Sequence, residues 1–152
     1  MPMIELSYSS GALPAPKLKA LLHRATKVLM WWEKIPDTEA ARQVAWTFAR
    51  EFPEDHLLIG GLPSSKGRYR FTVSTIEGLM DDRAKQGVMR DLVRITLEAE
   101  DAPHDHANAS RIWCLFNDLP RNNWGIGGVP FAPSGYLSCL ADIQTQKDVP
   151  LD

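Results

Sequence analysis

The sequence predicts an α/β fold: two tandem βαβ units forming a four-stranded mixed sheet with two helices on one face. Three observations carry that expectation. Residues 67 positions apart match without a gap along most of the chain. Each copy opens on a stretch with strand-like alternation, and each then enters a helix-length run whose apolar residues share one face.

The internal match fixes the organisation. Ser7 falls on Ser74, Gly11 on Gly78, Glu33 on Glu100, Pro36 on Pro103 and Ala40 on Ala107. The same offset carries Trp46 onto Trp113, Pro53 onto Pro120, Ile59-Gly60-Gly61 onto Ile126-Gly127-Gly128, and Pro63 onto Pro130. Many of these are glycines and prolines, whose backbone constraints mark turns that both copies make in the same place. The chain reads as a single domain over residues 1–134, with repeats 1–66 and 67–132, and a tail at 135–152 without strong periodicity.

Within each repeat the elements follow in order. Met3 to Tyr8 alternates apolar and polar residues, and Tyr69-Arg70-Phe71-Thr72-Val73-Ser74 repeats the pattern, which gives the two first strands. Pro14 and Pro16 suit a first helical turn, and Leu18, Leu21, Leu22, Ala25, Val28, Leu29 and Trp32 keep helical spacing. The second helix opens near Met80 or Asp81, with Ala84, Val88, Leu92, Ile95 and Ala99 as its stripe. The β pattern returns at Ala45 to Phe48 and at Arg111 to Phe116, and glycines at 60–61 and 125–128 suit short hairpins. A βαβ crossover makes its strands parallel and is right-handed, so both helices lie on one side of the sheet. The opposite sheet face and the sheet edges stay uncovered, which predicts a homo-oligomer.

Composition narrows the function classes. A chain of 152 residues, 44% hydrophobic and 24% charged, has the profile of one globular domain. Its 17 Lys+Arg against 19 Asp+Glu give a net charge of -2, so no basic footprint points to nucleic acid or to an anionic membrane. The two cysteines, Cys114 and Cys139, fall in no CxxC or Cys/His spacing, so neither a metal site nor a disulfide framework is expected. With no leader-like or membrane-spanning run, the expectation is a soluble, cytoplasmic protein that needs no metal or organic cofactor.

Met1-Pro2 leading directly into a strand, then a helix, then a strand followed by Trp124-Gly125-Ile126-Gly127-Gly128, resembles the tautomerase superfamily over about residues 2–130. Its small members, such as 4-oxalocrotonate tautomerase, are one βαβ unit long. Its longer members, such as malonate semialdehyde decarboxylase, cis-3-chloroacrylic acid dehalogenase and macrophage migration inhibitory factor, carry two units per chain and form trimers. The resemblance therefore implies a homotrimer. It also implies that Pro2, exposed by removal of Met1, is a catalytic secondary amine. A free α-amino group has an ordinary pKa of about 7.7–8.0, and an apolar pocket or nearby cations lower it into the working range of a general base.

By the same resemblance Arg111, at the start of the last strand, binds a substrate carboxylate or polarises its carbonyl, and Trp124 walls the pocket. Read from the residues alone, Arg111 is equally a solvated strand-end charge and Trp124 a core or interface aromatic. Their counterparts in the first repeat are Val44 and Leu57, so one kind of site per chain is implied. The sequence also departs from the family. Its Glu-Gly-Arg pattern appears as Glu77-Gly78-Leu79 and Ser10-Gly11-Ala12, so a second gripping arginine is missing and a dicarboxylate fits poorly. Arg68 and Arg70 flank Tyr69, which the offset sets against Pro2. Either arginine replaces the lost charge at the substrate, or both form salt bridges between subunits. Glu39, three residues after Pro36, matches an acidic residue of the decarboxylase-like members, yet Asp37-Thr38-Glu39 is also an ordinary capped helix start. His104-Asp105-His106 has no third ligand and reads as a loop.

The expected function is a cofactor-independent isomerase, a tautomerase that moves a proton α to the carbonyl of a small-molecule substrate with Pro2 as base. One alternative makes Pro2 a general acid while Glu39 activates water for hydration, dehalogenation or decarboxylation. Another is a non-catalytic trimeric binding protein.

Overall fold

Alternation along Met3–Ser9 puts Ile4, Leu6 and Tyr8 on one side of strand β1, and all three are buried. The computed structural model describes residues 3–64, 66–120, 122–126 and 129–130. After β1 come α1 (Ala15–Trp32), α2 (Glu39–Gln43), β2 (Trp46–Phe52), a 3-10 turn at Glu54–His56 and the hairpin of β3 (Leu58–Ile59) with β4 (Leu62–Pro63). The second repeat gives β5 (Tyr69–Ile76), α3 (Asp82–Glu100), α4 (His106–Ala109), β6 (Ile112–Leu119) and the hairpin of β7 (Gly125–Ile126) with β8 (Val129–Pro130). The four long strands form one sheet in the order β2-β1-β5-β6. Each repeat contributes a parallel pair, and β1 joins β5 antiparallel. The sheet is therefore mixed, as the duplication requires.

The copies agree in detail. Trp46 Nε1 donates to the Gln43 carbonyl and Trp113 Nε1 to the Ser110 carbonyl, both at 3.2 Å and both one offset of 67 apart. Thr38 and Asp105, also related by the offset, cap α2 and α4 by accepting from the backbone N–H three residues on. These two short helices form no amphipathic stripe, so of the pair the sequence indicated only the capped start at Thr38. β2 and β6 run several residues beyond their expected ends, because Arg50 and Glu51 in one, and Asn117 and Asp118 in the other, interrupt the apolar alternation while the backbone ladder continues.

Helices α1 and α3 cover one sheet face, where Leu21, Ala25 and Leu29 meet Val88, Leu92 and Ile95 over Leu6, Phe71 and Val73. The Trp32 ring packs onto Gly87 of α3, where a Cβ would overlap it. Alanine at 87 gains about 1 kcal/mol in helix propensity but overpacks a rigid ring at a cost of about 1–3 kcal/mol. Gly87→Ala is expected to lose up to about 2 kcal/mol net in urea unfolding; a gain in stability would show that the ring moves aside freely.

The other sheet face is open. Register places Trp46, Met3, Ser74 and Asn117 in one row, Phe48, Glu5, Thr72 and Leu115 in the next, and Arg50, Ser7, Arg70 and Trp113 in the third. Trp46, Phe48, Trp113 and Leu115 are 58%, 46%, 65% and 46% exposed there. Among the described residues no helix is long and apolar enough to cross a membrane.

Candidate active site

Because β1 and β5 are antiparallel, the sheet has two ends related by the duplication. At one, β5 and β6 begin; at the other, β1 begins. The candidate residues divide between them.

At the first end a cleft of about 400 Å³ opens between the strand starts and the β3–β4 hairpin. Arg68, Tyr69, Arg70 and Arg111 all line it, together with Phe52 and Trp113. Their side chains are nevertheless committed differently. Tyr69 points under the helices, 2% exposed, and its hydroxyl donates to Glu100 Oε1 at 2.9 Å. Arg111 is 6% exposed; Nη1 donates to Glu100 Oε1 at 3.0 Å and to the Gly67 carbonyl at 2.6 Å, and Nη2 to Glu100 Oε2 at 2.5 Å. The hydrogen bonds to Glu100 hold the Arg111 guanidinium above its ordinary pKa. Burial, and then Glu100, raise the Tyr69 phenol. The guanidinium that the resemblance assigns to a substrate is thus bound inside its own chain, and gripping a ligand would require breaking a bidentate buried pair. Arg70 remains exposed on the open sheet face, with Nη2 donating to Ser7 Oγ at 3.4 Å, and Arg68 is half-buried, with Nε donating to Ser64 Oγ at 3.1 Å.

The second end is a small apolar cluster. Met30, Ile35, Ala41 and Ile76 are buried there, and Trp124 packs against them with Val44, Ala45 and Leu79. Trp124 is half-buried, and the full length of β6 separates it from Arg111, so one chain does not bring the two together. Glu39 is the first residue of α2 and exposed. Pro2 and the tail 135–152 lie outside the described residues.

Sequence reasoning passed over one group at this end. Glu33 ends α1 and accepts a hydrogen bond from Thr75 Oγ1 at 3.0 Å, Thr75 itself being 0% exposed. Burial pushes the Glu33 carboxyl up, and the charge of the amino-terminal group and the Thr75 hydroxyl offset part of that. The signal was available, because Glu33 and Glu100 are matched by the offset and an acid retained in both copies at a helix end is uncommon inside a fold. Cys114 is no competing nucleophile: burial pushes its thiol up to about 12. Among the described residues no group of His, Cys, Asp and Glu is arranged to hold a metal ion.

No family model matches the chain, and no curated protein matches it in sequence. Solved structures do. Pt0534 inactivated by 2-oxo-3-pentynoate is 22% identical, with a TM-score of 0.72 over 88% of this chain and 98% of that one. A fused 4-OT, an asymmetric trimer, is 20% identical, with a TM-score of 0.68 over 84% of this chain and 94% of that one. N1, a member of the cis-3-chloroacrylic acid dehalogenase family, is 13% identical, with a TM-score of 0.72 over 97% of this chain and 92% of that one. At these identities the likeness is one of fold: the chain has the two-repeat mixed-sheet architecture of fused 4-OT and of the dehalogenase family.

Proposed function

We propose that this chain is a tautomerase-superfamily enzyme that moves a proton α to the carbonyl of a small keto or unsaturated acid, with the amine of Pro2 as the proton-carrying group after Met1 is removed. The observation that carries the reading is the end of the sheet at which β1 begins: Met3, the residue bonded to Pro2, opens β1 there, and at the same end Trp124 packs against the apolar cluster of Met30, Ile35, Ala41 and Ile76. Catalysis by an amine needs such a place, since an apolar wall keeps bulk water from the proton in transit. Assembly as a homotrimer fits both the open sheet face and the fused 4-OT neighbour, itself a trimer. In that assembly Arg68 and Arg70 are the cations offered to a substrate carboxylate, and they reach the Pro2 end only across a chain boundary, because they line the opposite end of the sheet.

A second reading keeps the site and reverses the proton. A half-buried acid, Glu33, stands at this end, and an anion there favours a charged amine, which would serve as general acid in hydration, dehalogenation or decarboxylation. Ultraviolet assays of enol-to-keto conversion on phenylenolpyruvate or a 2-hydroxydienoate, followed across pH, separate the two. With the amine as base, kcat is expected to fall as pH drops through the amine pKa; with the amine as acid it falls as pH rises through it. No turnover of either enol together with turnover of an unsaturated three-carbon acid would overturn the tautomerase reading in favour of the second.

A further inference from the structure

We infer that the cleft where β5 and β6 begin is a binding site in its own right, for a small monocarboxylate with an apolar body. This goes beyond the proposed reaction, because the cleft is formed within one chain, at the end of the sheet away from the start of β1, without Pro2. By the offset of 67 it is the second repeat's counterpart of the Pro2 end, with Tyr69 in place of residue 2. Tyr69 carries no terminal amine, and its hydroxyl is committed to Glu100. The cleft therefore lacks the reacting amine, yet it has what binding an acid requires.

In a chain of net charge -2, the described lining of this cleft holds three arginines and a histidine but no aspartate or glutamate. Glu100 neutralises Arg111, which leaves Arg68 and Arg70. Each of these two guanidiniums meets a hydroxyl, Ser64 Oγ for Arg68 and Ser7 Oγ for Arg70, and neither is paired with a carboxylate among the described residues. Asp55, the acid beside His56, stands outside the lining, with Oδ1 3.8 Å from His56 Nε2. An arginine fork matches a carboxylate, and a cleft lined by one sign of charge concentrates the opposite ion. The rest of the lining is mainly apolar: Phe52, Leu57, Leu58, Ile59 and Trp113 wall about 400 Å³, the size of a small-ligand pocket. Leu58, Ile59 and Trp113 are exposed there, so the apolar body of a ligand has surface to bury. Arg68 and Arg70 stand two residues apart at one strand start, which is where a carboxylate belongs, whereas a second carboxylate would face the apolar walls unpaired. That asymmetry selects a monocarboxylate over a dicarboxylate.

The test is calorimetric titration of the full chain with 3-phenylpropanoate, beside 3-phenylpropanamide, which has the body without the charge, and propanoate, which has the charge without the body. 3-Phenylpropanoate is expected to bind about tenfold or more tightly than either, since each lacks one of the two contacts. Arg70→Gln is expected to weaken its binding about tenfold or more, and Leu58→Glu, which puts an anion into the cleft, to weaken it as well. Both side chains are exposed, so neither change threatens the fold, and the preference among the three probes is read on the parent chain in any case. No binding of 3-phenylpropanoate at millimolar concentration, binding of the amide or of propanoate as tight as that of the acid, or parent-like binding in both variants overturns the inference. Pro2→Ala is expected to bind the probe as the parent does, and loss of binding there would place the acid at the other end of the sheet and overturn it too. The proton-transfer reading fails by a different result, full turnover in Pro2→Ala, which leaves these affinities as they were.

Discussion

Replacing Pro2 by alanine is expected to lower kcat about 10²- to 10⁴-fold, the range that a positioned proton-transfer group contributes, while the unfolding midpoint stays close to that of the parent. The secondary amine of a terminal proline is held by its ring, whereas the primary amine of alanine turns freely and presents its lone pair in many directions. Retention of Met1 should be at least as damaging. It converts the nitrogen to an amide whose lone pair is delocalised into the carbonyl, so the group neither takes nor gives a proton near neutral pH. Steady-state kinetics on a processed and an unprocessed sample, beside Pro2→Ala, measure all three. Equal rates in all of them would remove Pro2 from the mechanism.

Glu100→Gln is expected to destabilise the fold by about 3–5 kcal/mol, because it leaves the Arg111 guanidinium buried without its counter-charge. For a chain of this size that is a fall of roughly 6–20 °C in Tm. Both partners are shielded, at 6% and 12% side-chain exposure, so solvent screening relieves little of the loss. Replacing the pair together, as Arg111→Met with Glu100→Leu, should recover part of it, which a double-mutant cycle reads directly. A loss below about 1 kcal/mol, the value of an exposed pair, would show that water enters the cluster. Tyr69 adds a pH signature with a definite sign. Its folded-state pKa is raised above the ordinary 10.0, first by burial and then by Glu100. Its contribution is therefore fully present below pH 10 and is lost progressively as alkali ionises the phenol of the unfolded chain.

The fold was legible because duplication writes each element twice. A single stretch such as Met3 to Tyr8 is a weak strand signal, but the same signal at Tyr69 to Ser74, with matched glycines after both, leaves little room for another topology. The site was less legible. Trp124 packs half-buried against an apolar cluster, a place that suits a core or interface aromatic as well as a pocket wall. Arg111 was marked by its place at a strand start, yet position along a chain says nothing about which acid lies across the fold, and Glu100, eleven residues earlier, takes both arms of its guanidinium. Glu33 went unremarked for the converse reason. A lone glutamate at a helix end looks like surface until the strand end carrying Thr75 closes over it.

The sheet ends in two edges, β2 and β6, that occupy equivalent places in the two repeats but are no longer alike: Ala49, Arg50 and Glu51 in one answer to Phe116, Asn117 and Asp118 in the other. An isologous contact sets like edge against like and stops at a pair. A heterologous contact, head to tail, sets β2 of one chain against the β6 side of the next, and such contacts end only when the rotation closes a ring. In a ring closed by such contacts every boundary would be the same boundary, burying one left edge and one right edge and leaving none to recruit a further strand.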